Sequence, residues 1–142
     1  MKRGSRAFLD TNILLFCFSD ADRHKRSRAR ALVRSALVDH DAVISYQVVQ
    51  EFLNVATRGP KRQMNQAQAQ LYLARVLTPL CEVFPDAALY STALSIADET
   101  GWSFYDSLIV SAGLTAGCVK VLTEDLQDGR VIRGLTIRDP FR

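Results

Sequence analysis

The chain has 142 residues, 48% of them hydrophobic and 23% charged, with 18 Lys and Arg against 15 Asp and Glu for a formal net charge of +3. That length suits a single domain over residues 1–142 with one core, and the composition is that of an ordinary soluble globular protein. It excludes fibrous, repetitive and low-complexity chains, and so mild a basic excess is no nucleic-acid signature by itself.

Three well-separated cysteines, Cys17, Cys81 and Cys118, form no CxxC pair and are odd in number. They support neither a disulfide framework nor a zinc knuckle, and read as reduced thiols. The basic start, Met1 to Arg6, resembles the head of a secretion signal. Asp10 and Asn12 then interrupt the apolar segment, and Ile13 to Phe18 alone is too short to complete one. No stretch approaches bilayer-spanning length, so the expectation is a cytoplasmic protein with no membrane partner.

In chain order, Ala7 to Leu9 is a short apolar run suited to a buried strand, and Ile13 to Phe18 continues as a short helix. Arg26 to Val38 is a longer helix, with Ala29, Leu32, Val33, Ala36 and Leu37 at i, i+3, i+4, i+7 and i+8. Arg26, Arg30 and Arg34 fall four apart on another of its faces. Ala42 to Ile44 is a second strand. Ser45 caps a helix carrying Val48, Val49, Phe52, Leu53 and Ala56, which Gly59-Pro60 ends. Asn65 caps the next helix, which stops near Pro79. Cys81 to Phe84 is a strand, Asp86 caps a helix running to Gly101, and Asp106 opens another over Leu108 to Leu114. Val119 to Leu122 and Leu135 to Ile137 are the last strands. Alternating strands and helices predict an α/β fold, a three-layer α/β/α sandwich around a mostly parallel sheet of about five strands.

Four acids stand at the edges of apolar runs: Asp10 after Phe8-Leu9, Glu51 before Phe52, Asp106 after Phe104-Tyr105, and Asp125 after Val121-Leu122. A carboxylate beside hydrophobic core is costly to desolvate, and four that converge repel one another unless a divalent metal neutralises them. In parallel sheets, sites form at the carboxyl ends of strands, and all four acids can occur on that one edge. Each also has a plain structural reading. Asp106 serves as a helix cap, Glu51 as a solvated helix residue, and Asp125 as a turn residue, as does Asp128. Asp10, wedged between Phe8-Leu9 and Ile13-Leu14-Leu15, is the hardest to explain without a partner. Glu124 is a close rival to Asp125, and the sequence barely separates them.

Neither His24 nor His40 has a histidine at metal-binding spacing, and there is no GxSxG, Walker or GxGxxG motif. By elimination, catalysis here would run on carboxylates and metal. Arg23, Lys25, Arg26, Arg28, Arg30 and Arg34 lie in one segment with no acid between Asp22 and Asp39. That segment suits phosphate contacts, as do Lys61 and Arg62, although a solvated helix face explains it equally well.

Leu9-Asp10-Thr11-Asn12-Ile13-Leu14, Gln50-Glu51-Phe52, Tyr105-Asp106-Ser107-Leu108-Ile109 and Leu122-Thr123-Glu124-Asp125-Leu126, in this order and spacing over nearly the whole chain, resemble the PIN-domain family and its VapC-like toxins. The tail Asp125-Leu126-Gln127-Asp128-Gly129, followed by Gly134-Leu135-Thr136-Ile137 and Pro140-Phe141, is similar to one VapC-like branch.

The resemblance implies an acidic quartet of Asp10, Glu51, Asp106 and Asp125, with Thr11, Asn12 and Thr123 orienting it. It implies a Mg2+- or Mn2+-dependent endoribonuclease that acts as the toxin of a toxin–antitoxin pair. Its expected partners are RNA, gripped by Arg23, Lys25, Arg26, Arg30 and Arg34, a cognate antitoxin, and a second copy in a homodimer. Two alternatives stand beside it: a catalytically inactive PIN-like binding module, and a phosphoaspartyl phosphatase. The phosphatase pattern wants an acid two residues after the first Asp, where this chain has Asn12.

Overall fold

The computed structural model describes residues 5–142; Met1 to Gly4, most of the basic start, lie outside them. The elements run β1 (Ala7–Leu9), α1 (Thr11–Phe16), α2 (Arg23–Asp39), β2 (Ala42–Ser45), α3 (Tyr46–Ala56), α4 (Gln66–Tyr72), a π-helical turn (Leu73–Leu77), α5 (Thr78–Leu80), β3 (Cys81–Val83), α6 (Ala87–Thr100), α7 (Phe104–Thr115), β4 (Lys120–Leu122), β5 (Val131–Ile132) and β6 (Leu135–Arg138).

The six strands form one sheet in the order β3-β2-β1-β4-β6-β5, parallel throughout except for β5 against β6. Every residue of β1 and β2 is buried, as in parallel strands covered on both faces. Phe8 pairs with Val43 on one side and Val121 on the other. Helices α6 and α7 pack together, and α7 lies over β1, β2, β4 and β6, while α2, α3 and α5 pack around β2. Phe8, Leu9, Ile13, Ile44, Val48, Phe52, Ile96, Val121, Leu135 and Ile137 are among the buried core residues.

Gly113 lets α7 approach the sheet. A Cβ there would sit 3.1 Å from Val121 Cγ2 and 3.4 Å from both Phe8 Cβ and Leu135 Cδ2. Val121 is a β-branched strand residue with little room to turn. Gly113→Leu should therefore destabilise the fold by about 3 kcal/mol or more, the upper end for overpacking, seen as a lowered denaturation midpoint.

The expected, mostly parallel sheet of about five strands is present with one short addition, β5, which forms a hairpin with β6 through Arg133 (φ 51°) and Gly134 (φ 84°). The helix ahead of β3 stops at Leu80, near Pro79 as expected. A wider π turn precedes Pro79, which has no N–H to donate to the carbonyl four residues back. Helix α7 begins at Phe104 rather than near Leu108, and its cap is Ser103, not Asp106.

The chain builds β1, β2 and β3 outward in one direction, then returns to place β4 on the other side of β1. The carboxyl ends of β1 and β4 therefore flank the point where strand order reverses, where open α/β sheets form their crevices.

Candidate active site

Asp10 follows β1 at that reversal. Its backbone N–H donates to Leu122 O of β4 at 3.1 Å, and its carboxylate caps the six-residue α1 by accepting from Thr11 N at 2.7 Å. Thr123, the residue after β4, is 1% exposed, and its hydroxyl donates to the other Asp10 oxygen at 2.7 Å. The same hydroxyl accepts from Asp125 N at 3.0 Å, so one side chain fixes two acidic positions. Thr11, also buried, donates its hydroxyl to Glu51 Oε1 at 2.7 Å, and Asn12 donates its amide to Asp125 Oδ2 at 3.2 Å. Gln47, one turn before Glu51 on α3, donates to Glu51 Oε2 at 3.4 Å.

Asp106 reaches the site by a different route. Ser103 Oγ accepts from Asp106 N at 3.1 Å and so does the capping. The Asp106 carboxylate makes no hydrogen bond or ion pair of its own among the described residues. It sits in the first turn of α7, where the helix dipole favours negative charge. Ser103→Ala should cost about 1 kcal/mol of stability while leaving the cleft's acids in place. Thermal melting and RNA digestion of that one variant separate the two effects.

Asp10, Glu51, Asp106 and Asp125 line one open cleft of about 310 Å³, together with Thr11, Asn12, Gln47, Asn54 and Tyr105. Gln47, Asn54 and Tyr105 were not singled out from the sequence. Gln47 had a signal, its i, i+4 relation to Glu51 on one helix, and Tyr105 precedes Asp106. The neighbouring acids Glu124 and Asp128 point elsewhere than Asp125. Glu124 pairs with Lys25 Nζ from the first turn of α2, and Asp128 accepts from Asp139 N at 2.9 Å. Neither lines the cleft.

Burial pushes the Asp10 carboxyl from its ordinary 3.8 up to about 6. The hydrogen bonds from Thr123 and Thr11 oppose that rise, and the nearby charges of Asp125 and Glu51 add to it.

No three His, Cys, Asp or Glu among the described residues are close enough together to form a metal cage on their own. Mg2+ does not need one. It takes oxygen ligands, retains several waters and is commonly held by one or two carboxylates. Hard oxygen donors, a buried acid with a raised pKa, and a cleft roomy enough for water fit such an ion.

The basic residues of α2 stand apart from the acids. Lys25 lies 4.9 Å from the Phe16 ring centre and 5.5 Å from that of Phe141. Arg26 donates to Ser19 O at 3.2 Å and pairs with Asp20 at 3.3 Å. Arg30 donates to Cys17 O at 2.8 Å and Arg28 to Pro140 O at 3.2 Å. Arg30 and Arg34 line a separate apolar depression with Cys17, Val33 and Tyr72. Arg23, Lys61 and Arg62 are exposed. None of these cations lines the carboxylate cleft.

The family model of the PIN domain matches residues 7–131. No curated protein matches the chain. Among solved structures, the toxin–antitoxin complex from Klebsiella pneumoniae contains a chain 16% identical, with a TM-score of 0.64 over 92% of this chain and 95% of that one. DNA-bound VapBC from Salmonella typhimurium gives 22% identity and a TM-score of 0.64 over 95% and 98%. The sarcin-ricin-loop-cleaving toxin VapC20 of Mycobacterium tuberculosis gives 21% and 0.59 over 84% and 91%. At such identities the likeness is one of fold.

Proposed function

Since the chain belongs to the PIN domain family, we propose that it is a metal-dependent endoribonuclease, the toxin of a toxin–antitoxin pair. The observation that carries this reading is the lining of one cleft by Asp10, Glu51, Asp106 and Asp125, brought from four separate segments to the reversal point of the sheet.

In this reading Asp10 and Asp106 would hold a Mg2+ or Mn2+ ion, with Glu51 and Asp125 completing its surroundings through water, and the ion would supply neutralisation of phosphate charge and a water of lowered pKa. The chain's own residues do the positioning. Thr11 N and Thr123 Oγ each occupy one Asp10 oxygen, which leaves lone pairs on both for further bonding. Thr11 Oγ fixes Glu51 and Asn12 fixes Asp125, so the acids keep their orientation between turnovers.

Arg23, Lys25, Arg26, Arg30 and Arg34 would then steer RNA from outside the cleft, where phosphate contacts add affinity without selecting a sequence. The structural neighbours include VapBC and FitAB assemblies, some on DNA, which supports a cognate antitoxin as partner; a homodimer as working form is proposed from the family resemblance alone. No helix among the described residues is long and apolar enough to cross a membrane.

The test is digestion of RNA by the purified chain with Mn2+, with EDTA, and as Asp10→Asn. Cleavage should occur only in the first. An absence of cleavage in all three would leave a binding module, and turnover of a small phosphoester instead of RNA would favour the phosphatase.

A further inference from the structure

A second cavity, of about 380 Å³, opens beside the carboxylate cleft between α3, the start of α6 and the start of α7. The two cavities are neighbours, with Gln47 and Tyr105 lining both and marking their boundary. Their linings differ in kind. The second contains no Asp, Glu, Lys or Arg. Its walls carry Tyr46, Tyr90, Phe104 and Tyr105, with Gln47 and Gln50 supplying amides.

Those rings are available. Tyr46 is 44% exposed, Tyr90 40% and Tyr105 65%. The rings pack on one another in a chain, Tyr90 to Phe104 at 6.3 Å between centroids and Phe104 to Tyr105 at 5.5 Å, edge-on, which holds their outer faces in place. At the junction of the cavities, the Gln47 amide nitrogen is engaged by Glu51, while its amide oxygen is buried without a hydrogen-bond partner. A neutral cavity with aromatic walls and an unmatched acceptor does not suit a phosphate or a metal ion. It suits a flat, uncharged ring with polar edges.

We infer that this aromatic cavity is a nucleobase subsite, which holds one unpaired base of an RNA strand whose phosphate enters the adjoining carboxylate cleft. The inference rests on the nuclease reading above for the identity of the strand. Tyr46 and Tyr90 supply stacking faces, and Tyr105, at the boundary, sets the path of the backbone between base and phosphate. Single-stranded RNA is recognised in this way, by splayed bases on aromatic side chains. The subsite makes the enzyme prefer strands that can present an unpaired base beside the cut.

Binding tests this apart from cleavage. Fluorescein-labelled single-stranded RNA oligomers are titrated by anisotropy against Asp10→Asn protein with Mg2+, using one intact oligomer and a set carrying a single abasic residue at each position in turn. Tyr46→Leu and Tyr90→Leu are compared in the same background, with Tyr46→Phe and Tyr90→Phe as conservative controls.

The expected result is roughly a tenfold weakening by each Leu substitution, the scale of one lost stacking contact, with the Phe variants near the parent. One abasic position should weaken the parent similarly and leave the Leu variants unaffected, because both changes remove the same contact. Weakening that is additive at every position overturns the subsite, as does an absence of RNA binding. A change of oligomeric state in the Leu variants, measured by light scattering, with an unaltered abasic profile also overturns it and assigns the face to a second copy. Base-dependent binding by a wild-type protein that cuts nothing would keep the subsite and remove the nuclease.

Discussion

Asp10→Asn should abolish RNA cleavage and, in the same protein, raise the melting temperature of the metal-free form near neutral pH. The second effect follows from burial. The folded chain holds the Asp10 proton to about pH 6, whereas the unfolded chain releases it near the ordinary value of 3.8. Between those limits the folded state binds more protons than the unfolded one, so stability falls as pH rises through the window. Above it the cost is fully present, and a difference of roughly two units corresponds to about 3 kcal/mol.

Asparagine keeps the shape and removes the charge. It can still accept from Thr11 N, while its amide meets the Thr123 hydroxyl, which must turn to accept. The net gain is therefore smaller, about 1–2 kcal/mol, or several degrees in a chain of this size. Below about pH 4 the two proteins should melt alike, because the aspartate is then protonated in both states. Added Mg2+ should narrow the gap by stabilising only the wild type. A variant that melts below wild type in EDTA near neutral pH would show that Asp10 is not a strained acid.

Thr123→Val should lower cleavage by roughly 10- to 100-fold, the usual effect of removing a group that orients a metal-holding side chain. The residue is buried, and its hydroxyl is both the donor to Asp10 Oδ2 and the acceptor for Asp125 N. Valine preserves the shape and removes both bonds, so Asp10 loses the contact that most opposes its raised pKa. The Mn2+ concentration for half-maximal activity should rise, which a purely structural role would not produce. Thr123→Ser should restore most of both quantities. An unchanged Mn2+ requirement in Thr123→Val, with activity lost only through a lowered melting point, would refute the orienting role.

What the sequence revealed, and what it hid, divides along physical lines. Ala7 to Leu9 and Ala42 to Ile44 were readable because strands buried on both faces are apolar runs. Ser45, Asn65 and Asp86 were readable as caps because each sits just ahead of a helical period, and all three accept the expected backbone N–H.

Ser103 was missed although Ser103 and Asp106 have the spacing of a capping pair. The apolar Phe104-Tyr105 that follows drew the reading toward a later start. Strand β6 was read, but β5 and its hairpin had no signal, since β5 is only two residues long and Arg133 stands in a left-handed turn position usually held by Asn or Asp. The choice between Glu124 and Asp125 was hidden for another reason. The partner that draws Glu124 away, Lys25, lies far back in the chain, and short-range pattern carries no record of it.

Asp10 and Thr123 hang from three neighbouring strands: Asp10 N is bonded to Leu122 O, and Thr123 N to Arg138 O at 2.9 Å. Amide protons at these two positions should therefore exchange with solvent only when the whole molecule opens, while those around Tyr105 answer to a single helix end. On the proposed nuclease reading, the chemistry would thus be anchored to the sheet and target choice left to the exposed rim, so that substitutions along the rim should change which RNA is bound before they change how it is cut.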